Sequence, residues 1–132
     1  MNFVIDASAV IAVVANEPEK EELIKITAGA DLIAPASIPW EIGNAFSAML
    51  KRRRITLVQA LEAVAIYQQV PIRYVDINIS EALKIAAEHN IYAYDAYLLQ
   101  CAMKYRMPLL TLDKRLADLA KKMRIAVVEV TG

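Results

Sequence analysis

Hydrophobic residues are concentrated in short runs that alternate with longer amphipathic segments. Runs of three or four mostly apolar residues are typical of strands covered on both faces of a sheet. Five runs fit this description: Phe3-Val4-Ile5, Leu32-Ile33-Ala34, Ile72-Arg73-Tyr74-Val75, Leu109-Leu110-Thr111 and Ile125-Ala126-Val127-Val128. The pattern therefore predicts five β-strands.

Helix-start signals lie in the segments between these strands. Pro18 precedes one helical segment, Thr56 and Gln59 have the spacing of a capping box, and Ser80 is expected to open a later helix. Strands separated by helices imply a parallel sheet with right-handed crossovers. The expected fold class is α/β, a three-layer α/β/α sandwich around a mostly parallel five-stranded sheet.

A helical hairpin is expected to project from this sandwich, because the helical stretches 40–53 and 56–69 both lie between the second and third strands. The chain has no internal repeat or linker, so residues 1–132 are expected to form one domain. Ligands in open α/β sheets bind beyond the carboxyl ends of the strands. We therefore expect the functional residues to lie at that edge.

Composition changes this picture little. The sequence is 58% hydrophobic with three glycines and five prolines, which indicates a fully folded protein. Fifteen basic and fifteen acidic side chains cancel, so any nucleic acid must be recognised locally. The longest uncharged stretch after Asp6, residues 7–16, is far shorter than the ~20 residues of a membrane span. We expect a cytoplasmic protein that does not cross a membrane.

The single cysteine and the single histidine do not indicate a catalytic pair. Cys101 stands alone in a helical pattern, and it is expected to be a buried, reduced side chain. His89 is the only histidine, which disfavours both a Cys/His dyad and a zinc site.

Two acidic residues end apolar strands, where a carboxylate is costly unless it is compensated. Asp6 follows the first strand and precedes an apolar helix, and Asp113 follows the fourth strand in the same way. Glu41 and Asp95 lie near helix starts among aromatic and aliphatic neighbours. For each residue, helix capping or interaction with the helix dipole is an alternative explanation.

Four carboxylates at one edge of a sheet would repel one another, and a divalent cation would relieve that repulsion. Oxygen ligands suit Mg²⁺ or Mn²⁺, which keep several waters and share their coordination shell with phosphates. Such an ion can polarise a phosphodiester and lower the pKa of a bound water. The chemistry expected of this site is phosphodiester hydrolysis.

The ordered set of polar motifs resembles the PIN-domain family, in particular its VapC-type toxin branch, over nearly the whole chain. The motifs are Asp6-Ala7-Ser8 after the first strand, Glu41 with Asn44 three residues later, Tyr94-Asp95-Ala96 at a helix start, and Thr111-Leu112-Asp113 after the fourth strand. The resemblance implies that the metal-binding and catalytic residues are Asp6, Glu41, Asp95 and Asp113. It also implies that Ser8, Asn44 and Thr111 support these acids.

The same resemblance implies a Mg²⁺- or Mn²⁺-dependent endoribonuclease that is the toxin of a toxin–antitoxin pair. It further implies an RNA substrate, a homodimer, and inhibition by a small antitoxin whose tail occupies a groove near the active site. None of these properties follows from composition or spacing.

Basic residues offer weaker candidates. The run at residues 51–54 closes a helix and could either solvate a hairpin tip or contact RNA phosphates. Lys114 and Arg115 directly follow Asp113, so either could touch a substrate phosphate.

Three other protein classes are alternatives to this interpretation. Aspartate-dependent phosphatases place a second aspartate two positions after the first, where this chain has Ser8. Phospho-accepting receiver domains need paired acids after the first strand and a lysine at the end of the fifth, and residues 125–130 contain no lysine. A catalytically silent RNA- or protein-binding module with the same fold is the remaining alternative.

Overall fold

The computed structural model describes residues 1–131, and Gly132, the last residue of the expected domain, lies outside them. The described residues form four strands and seven helices. In chain order these are β1 (Asn2–Ile5), α1 (Ala7–Val14), α2 (Lys20–Thr27), β2 (Asp31–Pro35), α3 (Ile38–Lys51), α4 (Leu57–Tyr67), β3 (Ile72–Val75), α5 (Ile79–His89), α6 (Ala93–Tyr105), β4 (Leu109–Leu110) and α7 (Lys114–Lys122).

The sheet is parallel throughout, with the strand order β3-β2-β1-β4. In its centre, Val4 of β1 pairs with Ile33 on one side and Leu109 on the other. Phe3, Val4 and Ile5 are all buried, although successive side chains of a strand point to opposite faces. Both faces of the sheet are therefore covered at β1, as its apolar run predicted, whereas the edge strand β3 has no buried residue.

The prediction of five strands is wrong, because the described residues contain four. The segment 125–128 does run parallel to β4, but it forms a single bridge, between Leu109 and Val127. Its backbone hydrogen bonds with β4 are Leu109 N–H to Ala126 O at 2.8 Å and Val128 N–H to Leu109 O at 2.9 Å. After Leu110 the chain turns to begin α7, which leaves no further β4 backbone for a longer ladder.

The helices form two groups. In the first group, α6 packs against β1, β2 and β4, and α5 packs against α6. In the second group, α1 contacts α2, α3 and α4. The two helices of the expected hairpin are present, and both pack against α1. Within residues 1–131, no helix is long and apolar enough to cross a membrane.

Two predicted helix starts had different outcomes. Thr56 accepts the Gln59 N–H at 3.2 Å and Gln59 reaches back to the Thr56 N–H at 3.0 Å, so the capping box is confirmed. Ser80 does not open α5, because the Asn78 side chain accepts the Glu81 N–H at 3.0 Å and caps the helix two residues earlier. Asparagine and serine are about equally good caps, so the sequence did not separate them.

Candidate active site

Four acidic side chains lie at the carboxyl edge of the sheet, where strands end and helices begin. Asp6 directly follows β1, and Asp113 follows β4 after a short turn. Glu41 is in the first turn of α3, and Asp95 is in the first turn of α6. Helix α3 follows the carboxyl end of β2, so it begins at this edge. Helix α6 ends at the opposite edge, where β4 starts, so its first turn also lies at the carboxyl edge.

Electrostatic interactions connect these four carboxylates, which we call the acidic cluster. Asp6 interacts with Asp113 and with Glu41, and Asp95 also interacts with Asp113 and with Glu41. These neighbouring negative charges act to raise the pKa values of Asp6, Glu41 and Asp95. The fold thus brings together carboxylates from four separate parts of the chain.

Asp6 is the most buried member of the acidic cluster, with 4% of its surface exposed. Its Oδ1 accepts hydrogen bonds from the Ser8 hydroxyl at 2.7 Å and the Ala9 N–H at 3.0 Å, and its Oδ2 accepts one from the Thr111 hydroxyl. Burial raises the pKa of Asp6 to about 6, the hydrogen bonds oppose this rise, and the charge of Asp113 adds to it. The carboxylate is held in one orientation and also caps α1.

Ser8 and Thr111 both direct their hydroxyl protons at Asp6. The Ser8 Oγ accepts the Leu112 N–H at 3.0 Å, and the Thr111 Oγ1 accepts the Asp113 N–H at 3.0 Å. A hydroxyl has one proton to donate, so accepting these backbone groups leaves the proton free for the carboxylate. The ends of β1 and β4 are thereby joined through one carboxylate.

Glu41 is half-buried, and burial raises its pKa to about 7. The Ser37 hydroxyl donates a hydrogen bond to Glu41 Oε2 at 3.2 Å and opposes the rise, whereas the charges of Asp6 and Asp95 add to it. Sequence reasoning missed Ser37. The available signal was its position one helical turn before Glu41, at the start of the same helix.

Asn44 follows Glu41 by one helical turn, as the spacing predicted, but it is exposed. Its side chain makes no hydrogen bond to any residue in the range 1–131, unlike those of Ser8 and Thr111. A supporting role for Asn44 therefore stays a prediction.

Asp95 and Asp113 line a common cavity of about 310 Å³ with Arg115. Burial raises the pKa of Asp95, the charge of Asp113 raises it further, and the guanidinium of Arg115 lowers it. Asp113 is exposed, and its Oδ1 caps α7 by accepting the N–H groups of Arg115 at 3.0 Å and Leu116 at 3.2 Å. Asp113 therefore caps α7 and also belongs to the acidic cluster.

The acidic cluster has the donor chemistry of a Mg²⁺ or Mn²⁺ site but is not a closed cage. Among residues 1–131, no three acidic, histidine or cysteine side chains converge closely enough to enclose a metal ion. Magnesium is commonly held by one or two carboxylates, with waters and substrate phosphates completing its shell. Burial is the main cause of the raised pKa values of Asp6, Glu41 and Asp95, and neighbouring negative charges, which a cation would relieve, add to it. The residues present fit such an ion.

Two other groups lie apart from this chemistry. Cys101 is fully buried, and burial raises the pKa of its thiol to about 12, so it is the inert side chain that its sequence context predicted. The basic run at residues 51–54 is exposed at the far end of α3 from Glu41, and Lys51 lies about 15 Å from Glu41 along the helix.

Solved structures share this fold, and two of them show the extent of the similarity. The crystal structure of PAE2754 from Pyrobaculum aerophilum has a TM-score of 0.67 at 20% identity and covers 94% of this chain and 90% of that one. The crystal structure of VapBC2 from Rickettsia felis, bound to a DNA fragment from their promoter, has a TM-score of 0.67 at 12% identity and covers 98% of both chains. At these identities the similarity establishes the fold alone.

Sequence comparison is more specific. None of the curated proteins matches this sequence. The family model described as PIN domain, however, matches residues 3–122, which contain all four members of the acidic cluster. The chain therefore belongs to the PIN domain family.

Proposed function

We propose that this protein is a Mg²⁺- or Mn²⁺-dependent endoribonuclease. The observation that carries the proposal is the electrostatic coupling of Asp6, Glu41, Asp95 and Asp113 at the carboxyl edge of the sheet. Four carboxylates of which only Asp95 is shown to feel a nearby cation, Arg115, are an unfavourable arrangement for a structural role. Membership of the PIN domain family supports the choice of phosphodiester hydrolysis over other metal-assisted reactions.

In this proposal the four carboxylates hold the metal ion, directly or through its waters. A bound divalent ion would supply Lewis-acid activation of the phosphodiester and of a water nucleophile. Ser8 and Thr111 orient Asp6, and Ser37 orients Glu41, because each donates a hydrogen bond to the carboxylate that it supports. Asn44 lies on the solvent side of α3, where a substrate could reach it.

We further propose that the protein is the toxin of a toxin–antitoxin pair and forms a homodimer. The fold similarity to a VapBC2 structure supports this proposal, as does an apolar surface on α4. Leu57, Val58 and Leu61 of that helix are each about 60% exposed, a degree of exposure that suits contact with a partner protein. The expected partners are a second copy of the chain and a small antitoxin protein in the cytoplasm.

A catalytically silent binding module is the alternative, and metal dependence separates the two. The nuclease proposal expects RNA cleavage that disappears with EDTA, returns with Mg²⁺ or Mn²⁺, and is lost in Asp6→Asn. RNA binding without cleavage under any of these conditions would favour the binding module. Cleavage that Asp6→Asn leaves unchanged would contradict the assignment of the site.

The toxin role needs its own experiment. Expression of the wild-type chain alone is expected to arrest growth, and expression of Asp6→Asn is not. A short reading frame immediately upstream of the gene is expected to encode the antitoxin and to restore growth when co-expressed. Normal growth on expression of an active nuclease would contradict the toxin role while leaving the enzymatic assignment intact.

A further inference from the structure

The cavity beside Asp95 and Asp113 contains two groups that capping and the acidic cluster do not explain. Tyr92 and Arg115 lie on its wall, and Leu116 contributes an apolar surface. Its volume of about 310 Å³ lies within the range of pockets that bind small ligands, roughly 300–1,000 Å³. A cavity that combines a cation, an aromatic ring and two acidic side chains is suited to one segment of a nucleic acid.

Arg115 supplies the positive charge in the lining of this cavity. Its guanidinium makes no ion pair or hydrogen bond within residues 1–131, whereas the neighbouring Lys114 lies 3.8 Å from Asp118. Its positive charge nevertheless acts on Asp95 and lowers the pKa of that carboxyl. An arginine fork can hold a phosphate through two parallel hydrogen bonds. Of the two cations after Asp113, Arg115 is therefore the one positioned to contact substrate.

Tyr92 is 87% exposed. Such exposure is unusual for an aromatic side chain, because aromatic residues normally bury a large apolar surface. It occupies the N-cap position of α6 without making a capping hydrogen bond from its side chain, so packing and capping do not account for it. An exposed ring beside a basic group is the arrangement that binds unpaired bases, because every base can stack its face on an aromatic ring.

We propose that this cavity, lined by Tyr92 and Arg115, is a nucleotide subsite that stacks one unpaired base on Tyr92 and holds an adjoining phosphate with Arg115. The proposal rests on the nuclease function, and it names a single-stranded segment as the part of the RNA that enters the site. In a duplex, each base is stacked between its neighbours and has no free face for Tyr92. The zero net charge of the chain agrees with recognition by a few local contacts.

The test measures RNA binding separately from cleavage. Fluorescence anisotropy of labelled oligoadenylate in EDTA reports binding while metal-dependent cleavage is prevented. Wild type is expected to bind the single strand more tightly than a duplex of the same length. Tyr92→Ser is expected to weaken single-strand binding roughly tenfold, and Tyr92→Phe, which keeps the ring, to bind like wild type.

Arg115→Gln is expected to weaken binding and to reduce the slope of log affinity against log salt by about one, the signature of one lost phosphate contact. Arg106→Gln is the matched control, because Arg106 is also exposed but follows the opposite end of α6. Thermal melts show whether each variant remains folded, and both Tyr92 and Arg115 are exposed enough for folding to tolerate these changes.

The outcomes separate this subsite from the nuclease function. Wild-type affinity in both Tyr92→Ser and Arg115→Gln, or equal binding of duplex and single strand, would overturn the subsite even if RNA is cleaved. Selective single-strand binding that both variants weaken would support the subsite even if no metal ion supports cleavage, in which case only the nuclease proposal fails.

Discussion

The Thr111 hydroxyl donates a hydrogen bond to the buried carboxylate of Asp6, across 105 residues of sequence. The contact joins the ends of β1 and β4, the strands that precede Asp6 and Asp113. It also lowers the pKa of a carboxyl group that burial would otherwise raise further. The hydrogen bond therefore serves both the fold and the ionisation of the proposed metal ligand.

Thr111→Val should test this contact, because valine keeps the shape and removes the hydroxyl. Loss of a hydrogen bond to a buried charge should cost about 2 kcal/mol of unfolding free energy. The pKa of Asp6 should rise, so the pH–rate profile for RNA cleavage should move to higher pH, and the maximal rate should fall about tenfold. Thr111→Ser, which retains the hydroxyl, is the control. A valine variant with the wild-type pH profile would exclude a role for this hydroxyl in ionising Asp6.

Glu41→Gln should make the stability of the metal-free protein less dependent on pH. Burial places the folded-state pKa of Glu41 at about 7, above the ordinary pKa of 4.5 for an exposed glutamate. The folded state therefore binds the proton more tightly, and wild type loses stability as the pH rises from about 4.5 to about 7. Because Glu41 is partly exposed, we expect the variant to gain only about 1–2 kcal/mol on wild type over this window.

Urea unfolding of both proteins in EDTA, at about pH 5 and about pH 8, measures this difference. The variant should match wild type more closely at the lower pH and exceed its stability at the higher pH. Added Mg²⁺ should stabilise wild type more at pH 8 than at pH 5, because the ligands must be ionised to bind it. A stability difference between the proteins that does not change with pH would contradict the raised pKa.

Ser37→Ala should affect activity through Glu41. The Ser37 hydroxyl donates a hydrogen bond to Glu41 Oε2 at 3.2 Å and lowers the pKa of Glu41. Removal of this hydroxyl should therefore move the acidic limb of the pH–rate profile to higher pH. Ser47→Ala is a matched control on the same helix, since its hydroxyl donates to the Asn44 carbonyl and is exposed. The same shift in both variants would show a general effect of altering α3.

Asn44→Ala separates a role in catalysis from a role in folding. Asn44 is exposed and makes no side-chain hydrogen bond within the described chain, so its loss should change unfolding free energy by less than about 0.5 kcal/mol. The proposed contact with substrate or metal-bound water predicts about a tenfold loss of RNA cleavage. Full activity would remove Asn44 from the proposed site.

The sequence was sufficient for much of the fold because the central strands are apolar on both faces. The runs containing Val4 and Ile33 could be read as buried parallel strands, and both pair in the sheet. The run at residues 125–128 has the same composition, but whether it forms a strand depends on how much β4 backbone remains available. The length of β4 is set by the tertiary structure, and this strand has only two residues.

The candidate site was predictable to a similar degree. Asp6 is recognisable because a carboxylate beside a buried strand is costly, whereas Asp113 is exposed and its only signal is its place after an apolar strand. The partners that tune them were harder to identify, because a serine such as Ser37 has the same local pattern as any helix-start residue. Tyr92 and Arg115 could be placed in one cavity only after α6 and α7 had been positioned.

The central proposal is that the acidic cluster supports metal-dependent RNA hydrolysis, and Asp95→Asn tests it most directly. Asp95 makes no side-chain hydrogen bond within residues 1–131, so the isosteric change should leave the fold intact. Asp118→Asn is the control, because Asp118 is an exposed acid on α7 near Lys114. In Mg²⁺, Asp95→Asn should reduce single-turnover RNA cleavage by more than about a hundredfold, beyond the loss typical of groups that only orient a ligand, and Asp118→Asn should cleave normally. A folded Asp95→Asn protein that cleaves RNA at the wild-type rate would contradict the proposal.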